Sequence, residues 1–190
     1  MVITHHGENY FRIQSGALTV LIDPTNQRSF KGATLVIHTV RPAVTDAPEE
    51  PMLFWIDHQG EYQVGETMVR GWTTEWVRDE EHTAYRVTLD GIAIAAVGHL
   101  TKELNPALQA ALTDTDILIV PAGGKPFLGP ALAAKLVRQL EPAVVIPSLF
   151  SDLKPFLKEL GESRVTPEEK LTVKKKDFTP KAMAVRWLTA

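Results

Sequence analysis

The sequence predicts a mixed α/β (α+β) fold in which two β-sheets pack face to face with helices outside. Three observations lead there. The first half alternates short β-rich runs with turn signals, and after Thr101 the chain switches to alternating helix and strand patterns. No repeat or low-complexity linker separates the two regimes. With 190 residues, the chain is long enough to bury a sizeable core, and a single domain spanning 1–190 is expected.

The β-rich runs are "YFRIQ" (10–14), "ALTVLID" (17–23), "TLVIH" (34–38), "MLFWID" (52–57), "EYQVG" (61–65), "ETMVRG" (66–71), "AYRVTLD" (84–90) and "GIAIAAVG" (91–98). Gly16 in "QSG" and Gly91 in "LDG" supply the positive φ of hairpin turns. The acidic, proline-bearing "RPAVTDAPEEP" (41–51) reads as a loop. Beyond it, "TKELNPALQAALTD" (101–114) predicts a helix, "DILIVP" (116–121) a strand, "GPALAAKLVRQLE" (129–141) a helix with apolar residues three and four apart, and "AVVIPS" (143–148) a strand. "SDLKPFLKELG" (151–161) predicts a short helix stopped by Gly161, and "KLTVKKK" (170–176) with "MAVRWL" (183–188) a closing strand pair.

Composition narrows the function. Twenty basic against 23 acidic residues give a net charge of -3, which offers polyanions no general attraction, so no nucleic-acid partner is expected. The absence of cysteine excludes disulfides, thiolate ligands and a cysteine nucleophile; any metal would fall to His, Asp or Glu. No apolar stretch is long enough to span a bilayer, so a soluble, cytoplasmic protein with no membrane partner is expected.

In the order "GENYFRIQSGALTVLIDP", "TLVIH", "GEYQVGETMVRG", "LDGIAIAAVGHL", "DILIVPAGG" and "LVRQLEPAVVIPS", residues 1 to 150 resemble the metallo-β-lactamase fold superfamily, in particular its lactonase-like branch of small metal-dependent hydrolases. The resemblance implies a four-layer αββα sandwich with a metal site at one edge, where strand ends converge. It also implies ligands in the order His, any, His, any, Asp, His after the strand ending at His38. Here His38 matches the first ligand, but Val40, Pro42 and Ala43 stand at the other three positions. The family's Gly-Asp appears as Gly98-His99, and its final Pro-any-His as Pro147-Ser148-Leu149. No histidine falls at 73–76. Two metals with a bridging water need five or more N/O ligands, which this pattern does not supply.

Of the remaining candidates, His38 and His99 are the pair that would carry catalysis if any persists. No resident cofactor is expected. The alternative is one divalent metal such as zinc on His38 and His99, completed by Glu8 or Asp46. His5 and His6 are adjacent, so one ring faces inward and one outward. Asp57-His58 reads as a turn and His82 as part of the polar loop "RDEEHT"; Trp55, Trp72 and Trp76 read as packing residues. "PAGGKP" lacks phosphate-loop spacing and reads as a turn, the lysines of "VKKKD" suit a protected sheet edge, and Ser148 lacks a nucleophile elbow.

The leading expectation is a metallo-β-lactamase-fold protein without the dinuclear zinc ligands, acting as a non-catalytic binding or scaffold module for a small molecule or protein. The alternative is a metal-dependent hydrolase with a mononuclear or unconventional site acting on a small phosphorylated or lactone substrate. A nuclease-like relative is a third reading, disfavoured by the acidic balance. If the former cleft has closed, Val40 and Leu149 are expected to be well buried.

Overall fold

A computed structural model describes residues 1–25, 30–41, 53–178 and 182–190. Alternating side chains and glycine turns build the first hairpins: β1 (Val2–His5), β2 (Phe11–Ser15) and β3 (Leu18–Ile22) are antiparallel, with Gly16 at φ 57° between β2 and β3. The chain then lays β4 (Leu35–Ile37) and β5 (Phe54–Ile56) parallel to β3, in register through Ile22, Ile37 and Ile56.

The second sheet begins with β6 (Gly60–Val64), β7 (Thr67–Val77), β8 (Glu80–Leu89) and β9 (Ile92–Ala96), all antiparallel. It continues with parallel β10 (Ile117–Pro121) and β11 (Val144–Ser148), after α1 (Pro106–Ala111) and α2 (Pro130–Leu140) respectively. Helix α3 (Lys154–Leu160) follows, then the short strands β12 (Pro167–Glu168), β13 (Leu171–Thr172), β14 (Ala184–Val185) and β15 (Trp187–Leu188). The sheet orders are β13-β1-β2-β3-β4-β5 and β14-β11-β10-β9-β8-β7-β6, with β12 and β15 paired separately.

Strand alternation assigns each face. Ile13, Val20, Ile22, Leu35, Ile37 and Ile56 of the first sheet meet Val69, Tyr85, Val87, Ile94, Ile119 and Ile146 of the second in one buried core. The opposite face of the second sheet, through Ala95, Leu118, Val120 and Val145, packs on Leu108 of α1, Leu136 and Val137 of α2 and Phe156 of α3. On the outer face of the first sheet, Tyr10, Leu21, Phe30, Ala33 and Val36 form a smaller cluster, to which no α-helix contributes among the described residues. None of the described helices is long and apolar enough to cross a membrane.

Three elements differ from the sequence reading, each for a local reason. Helix α1 starts at Pro106 rather than near Thr101. Proline disfavours helical backbone at the preceding residue, and Asn105 caps the helix by accepting from the Leu108 N–H at 2.9 Å. The β7–β8 hairpin is far longer than "ETMVRG" and "AYRVTLD" suggested. Arg78 and Asp79, at φ 49° and 66°, make a two-residue turn at its tip, so "RDEEHT" is turn and strand rather than loop. "KLTVKKK" and "MAVRWL" do not pair with each other: β13 joins β1 at the edge of the first sheet and β14 joins β11 in the second.

The sheets are also pinned by a polar bond. Tyr85, fully buried on β8, donates its hydroxyl to the His58 carbonyl at 3.0 Å beyond β5. Its ring lies over Gly71, where an added Cβ would stand 2.5 Å from Tyr85 Cε1. Gly71→Ala is therefore expected to displace the ring and destabilise the fold by about 1–3 kcal/mol, read as a lower urea midpoint with an unchanged slope.

Candidate functional site

The parallel strands of the first sheet end in step, so the residues after Ile22, Ile37 and Ile56 emerge side by side: Asp23, His38 and Asp57. From the second sheet, β9 runs out through Val97 and Gly98 to His99 at the same edge. Asp23 is the meeting point. It adopts φ 45°, a left-handed conformation that Asp tolerates better than most residues, and its side chain is only 10% exposed.

Three donors turn toward that carboxylate. Oδ1 accepts from the Thr39 N–H at 2.6 Å; Oδ2 accepts from the Thr39 hydroxyl at 2.6 Å and the Asn9 amide at 2.5 Å. His99 Nδ1 lies 3.5 Å from Oδ2 and His38 Nδ1 3.9 Å from Oδ1. Burial by itself raises the Asp23 pKa, but the hydrogen bond and charge of His99, the Thr39 hydroxyl and the charge of His38 outweigh it, leaving the carboxyl below its ordinary range.

An ionised Asp23 dictates the protons around it. Thr39 has one hydroxyl proton and gives it to Asp23, so its oxygen accepts from His99 Nδ1 at 2.6 Å. His99 Nδ1 therefore carries a proton. The ring lies edge-on to Phe127, centroids 5.3 Å apart. Its backbone carbonyl accepts from His82 Nδ1 at 2.9 Å.

His38 is held differently. Its ring is tilted against Trp55 with centroids 4.5 Å apart, and Nε2 is buried with no partner among the described residues. Burial lowers its pKa; Asp23 and Asp57 oppose that shift and His99 reinforces it, with a net depression.

Several readings from sequence are corrected here. His82 is a buried strand residue of β8, because the long hairpin pairs Thr39, Val40 and Arg41 with Glu81, His82 and Thr83. Asp57 is a buried strand-end residue accepting from His58 Nδ1 at 2.8 Å, more than a simple turn position. Trp76 is 62% exposed near the hairpin tip rather than packed. Val40 and Leu149 are only half-buried, so neither fills a closed core. Ser148 is fully buried at the end of β11, and its Oγ bonds neither His38 nor His99.

Of the four residues named as metal candidates, the structure brings His38 and His99 to the same carboxylate. Glu8 is exposed and makes no side-chain bond to either histidine; its carbonyl accepts from the Leu149 N–H at 3.3 Å. Asp46 lies outside the described residues. Among the described residues no group of three or more His, Cys, Asp or Glu side chains is placed to hold a metal ion. Beside the cluster opens a cavity of about 390 Å³ lined by His5, Glu8, Lys125, Phe127, Leu149 and Phe150. Gly123 shapes its wall: a Cβ there would stand 2.2 Å from the Leu149 carbonyl oxygen.

Sequence reasoning passed over Asp23, Asn9 and Thr39. The available signal was an acidic residue closing the buried run "TVLI" immediately before a proline, where a solvated turn would ordinarily follow. Asn9 had no such signal; its amide reaches Asp23 only because Gly98 leaves room for it.

Comparison with known proteins agrees with this architecture. The family model described as Beta-lactamase superfamily domain matches residues 2–148, and the chain belongs to that family. A Thermotoga maritima protein of the metallo-beta-lactamase superfamily is 21% identical, with TM-score 0.79 over 99% of both chains. Igni18, a metallo hydrolase from Ignicoccus hospitalis, is 17% identical, with TM-score 0.69 over 91% of this chain and 99% of its own. The metallo-beta-lactamase fold protein YhfI from Bacillus subtilis is 10% identical, with TM-score 0.67 over 99% and 95%. These likenesses establish the fold. A search of curated protein sequences finds no match.

Two expected outcomes test the cluster. A Cβ at position 98 would stand 1.7 Å from Asn9 Nδ2, so Gly98→Ala is expected to expel the amide from Asp23 and destabilise by about 1–3 kcal/mol in chemical denaturation. His38 supplies a pH dependence. Its folded pKa is depressed, so the unfolded chain takes up the proton first, and stability is lost as pH falls below about 6.5 toward the folded value. Denaturation midpoints at pH 7, 6 and 5 are expected to fall in the wild type and to fall less steeply in His38→Gln.

Proposed function

We propose that this chain is a binding module built on the metallo-β-lactamase fold, holding a small molecule at the strand-end edge without a dinuclear metal centre. The missing donor set carries this reading. Pro42 and Ala43 stand at two of the family's ligand positions and His99 where the family has an Asp, and among the described residues no group of three or more His, Cys, Asp or Glu side chains is placed to hold a metal ion. Val40 and Leu149, standing where the family has histidines, add no donors.

The proposed binding surface is the 390 Å³ cavity, within the size range of small-molecule sites. It combines an apolar wall of Phe127, Leu149 and Phe150 with the charged ends of Lys125 and Glu8. That arrangement suits a ligand bearing a charged or polar group beside an apolar body. His99 stands behind this wall, its ring edge-on to Phe127.

One observation favours a second reading, a hydrolase with a single divalent ion: His38 Nε2 is buried and without a partner among the described residues, as a ligand nitrogen would be before metal arrives. Zinc titration of untagged protein separates the two. A native-state site occupied at 100 times its Kd stabilises by roughly 2.7 kcal/mol, a clear rise in melting temperature. The binding-module reading expects no such rise in the wild type. It also expects none in Leu149→His, where the side chain replaced lies on the cavity wall rather than in the closed core. A saturable rise at one zinc per chain that disappears in His38→Ala would establish the hydrolase-type site instead.

A further inference from the structure

On the outer face of the second sheet, away from the strand-end cluster, β7 and β8 place Arg70 directly opposite Arg86. Directly opposed residues of an antiparallel pair have Cβ atoms about 4.5–5.5 Å apart, and like charges there repel. The two arginines and their neighbours Met68 and Thr88 line a cleft of about 210 Å³. We infer that this cleft is a binding site for a phosphate-type oxyanion, carried by a small phosphorylated molecule.

The partners already present leave that role open. Arg86 is held in place by the C-terminal end of α1: Nη1 donates to the Thr113 carbonyl at 3.0 Å and Nη2 to the Asp114 carbonyl at 3.1 Å. Those two bonds use two of its five N–H donors and orient the fork without neutralising its charge. Arg70 Nε lies 3.4 Å from Glu61 Oε1, but the Arg70 and Glu61 side chains are 48% and 75% exposed, so solvent screens that pair heavily. One screened carboxylate therefore stands against two guanidinium groups.

A phosphate group fits the imbalance in charge and geometry. Near neutral pH it carries about -1.5 to -2 charges and three acceptor oxygens, enough to bridge two forks and the Thr88 hydroxyl. A carboxylate offers only two acceptor oxygens, too few to bridge both forks and the Thr88 hydroxyl. The chain as a whole carries a net charge of -3, so it repels anions at long range; stabilisation by an anion must come from a local site.

The test is thermal denaturation and calorimetric titration of the full chain with inorganic phosphate, against sodium chloride at equal ionic strength. Phosphate is expected to raise the melting temperature saturably beyond the chloride control. Arg70→Ala, which removes an exposed side chain and should fold normally, is expected to weaken binding by about tenfold or more, the loss of one charge-assisted hydrogen bond. Glu61→Gln is expected to tighten binding, because it removes the competing carboxylate. Arg86→Lys keeps a charge but not the fork, and is expected to weaken binding while retaining the fold. A phosphate effect matched by chloride, or one unchanged in Arg70→Ala, overturns the assignment.

Discussion

A buried, ionised carboxylate is the constraint around which this edge of the molecule is organised. Asp23 sits between the two sheets with little access to water, and an ionised group so placed is tolerated only when its lone pairs are met by donors. Thr39 and Asn9 meet them, and His99 backs Thr39 through its hydroxyl oxygen; each comes from a different part of the chain: the segment after β4, the β1–β2 turn and the segment after β9. Their positions follow from that demand. Asn9 needs Gly98 to be bare, and the His99 backbone is steadied by His82 from the long hairpin. A single charge thus couples loops from both sheets.

The two histidines around Asp23 are held in different ways: His99 Nδ1 meets the Thr39 hydroxyl oxygen, and His38 packs against Trp55. Leu149 adopts φ 51° and is half-buried on the wall of a cavity, so this position lines a pocket rather than filling the core.

Side chains outside the edge divide into those that fix the sandwich and those that remain available. Tyr85 and its bare neighbour Gly71 fix it, one by a hydrogen bond across the sheets and the other by giving the ring room. Arg70 and Arg86 do the opposite. Facing each other on an exposed sheet surface, they store a repulsion that the protein's own groups relieve only in part.

The sequence by itself determined the strands, most helices, the two-sheet arrangement and the family, because these rest on local alternation, glycine turns and the order of short motifs. It also marked His38 and His99 as strand-end residues and showed that Val40 and Leu149 bring no metal donors. Two elements depend on single residues within an ambiguous pattern: Pro106 starts α1 five residues after Thr101, and Arg78 and Asp79 close a hairpin inside the polar "RDEEHT". The site was decided elsewhere. Asn9, Asp23, Thr39, His82 and His99 are up to 90 residues apart, and nothing in the spacing of any two of them specifies contact. Only register does: Ile22, Ile37 and Ile56 in step along three parallel strands deliver Asp23, His38 and Asp57 together, and the packing of the second sheet against the first brings His99 to them. Burial then sets the charge states, since a carboxylate becomes an organising centre only once the surrounding fold has removed it from water.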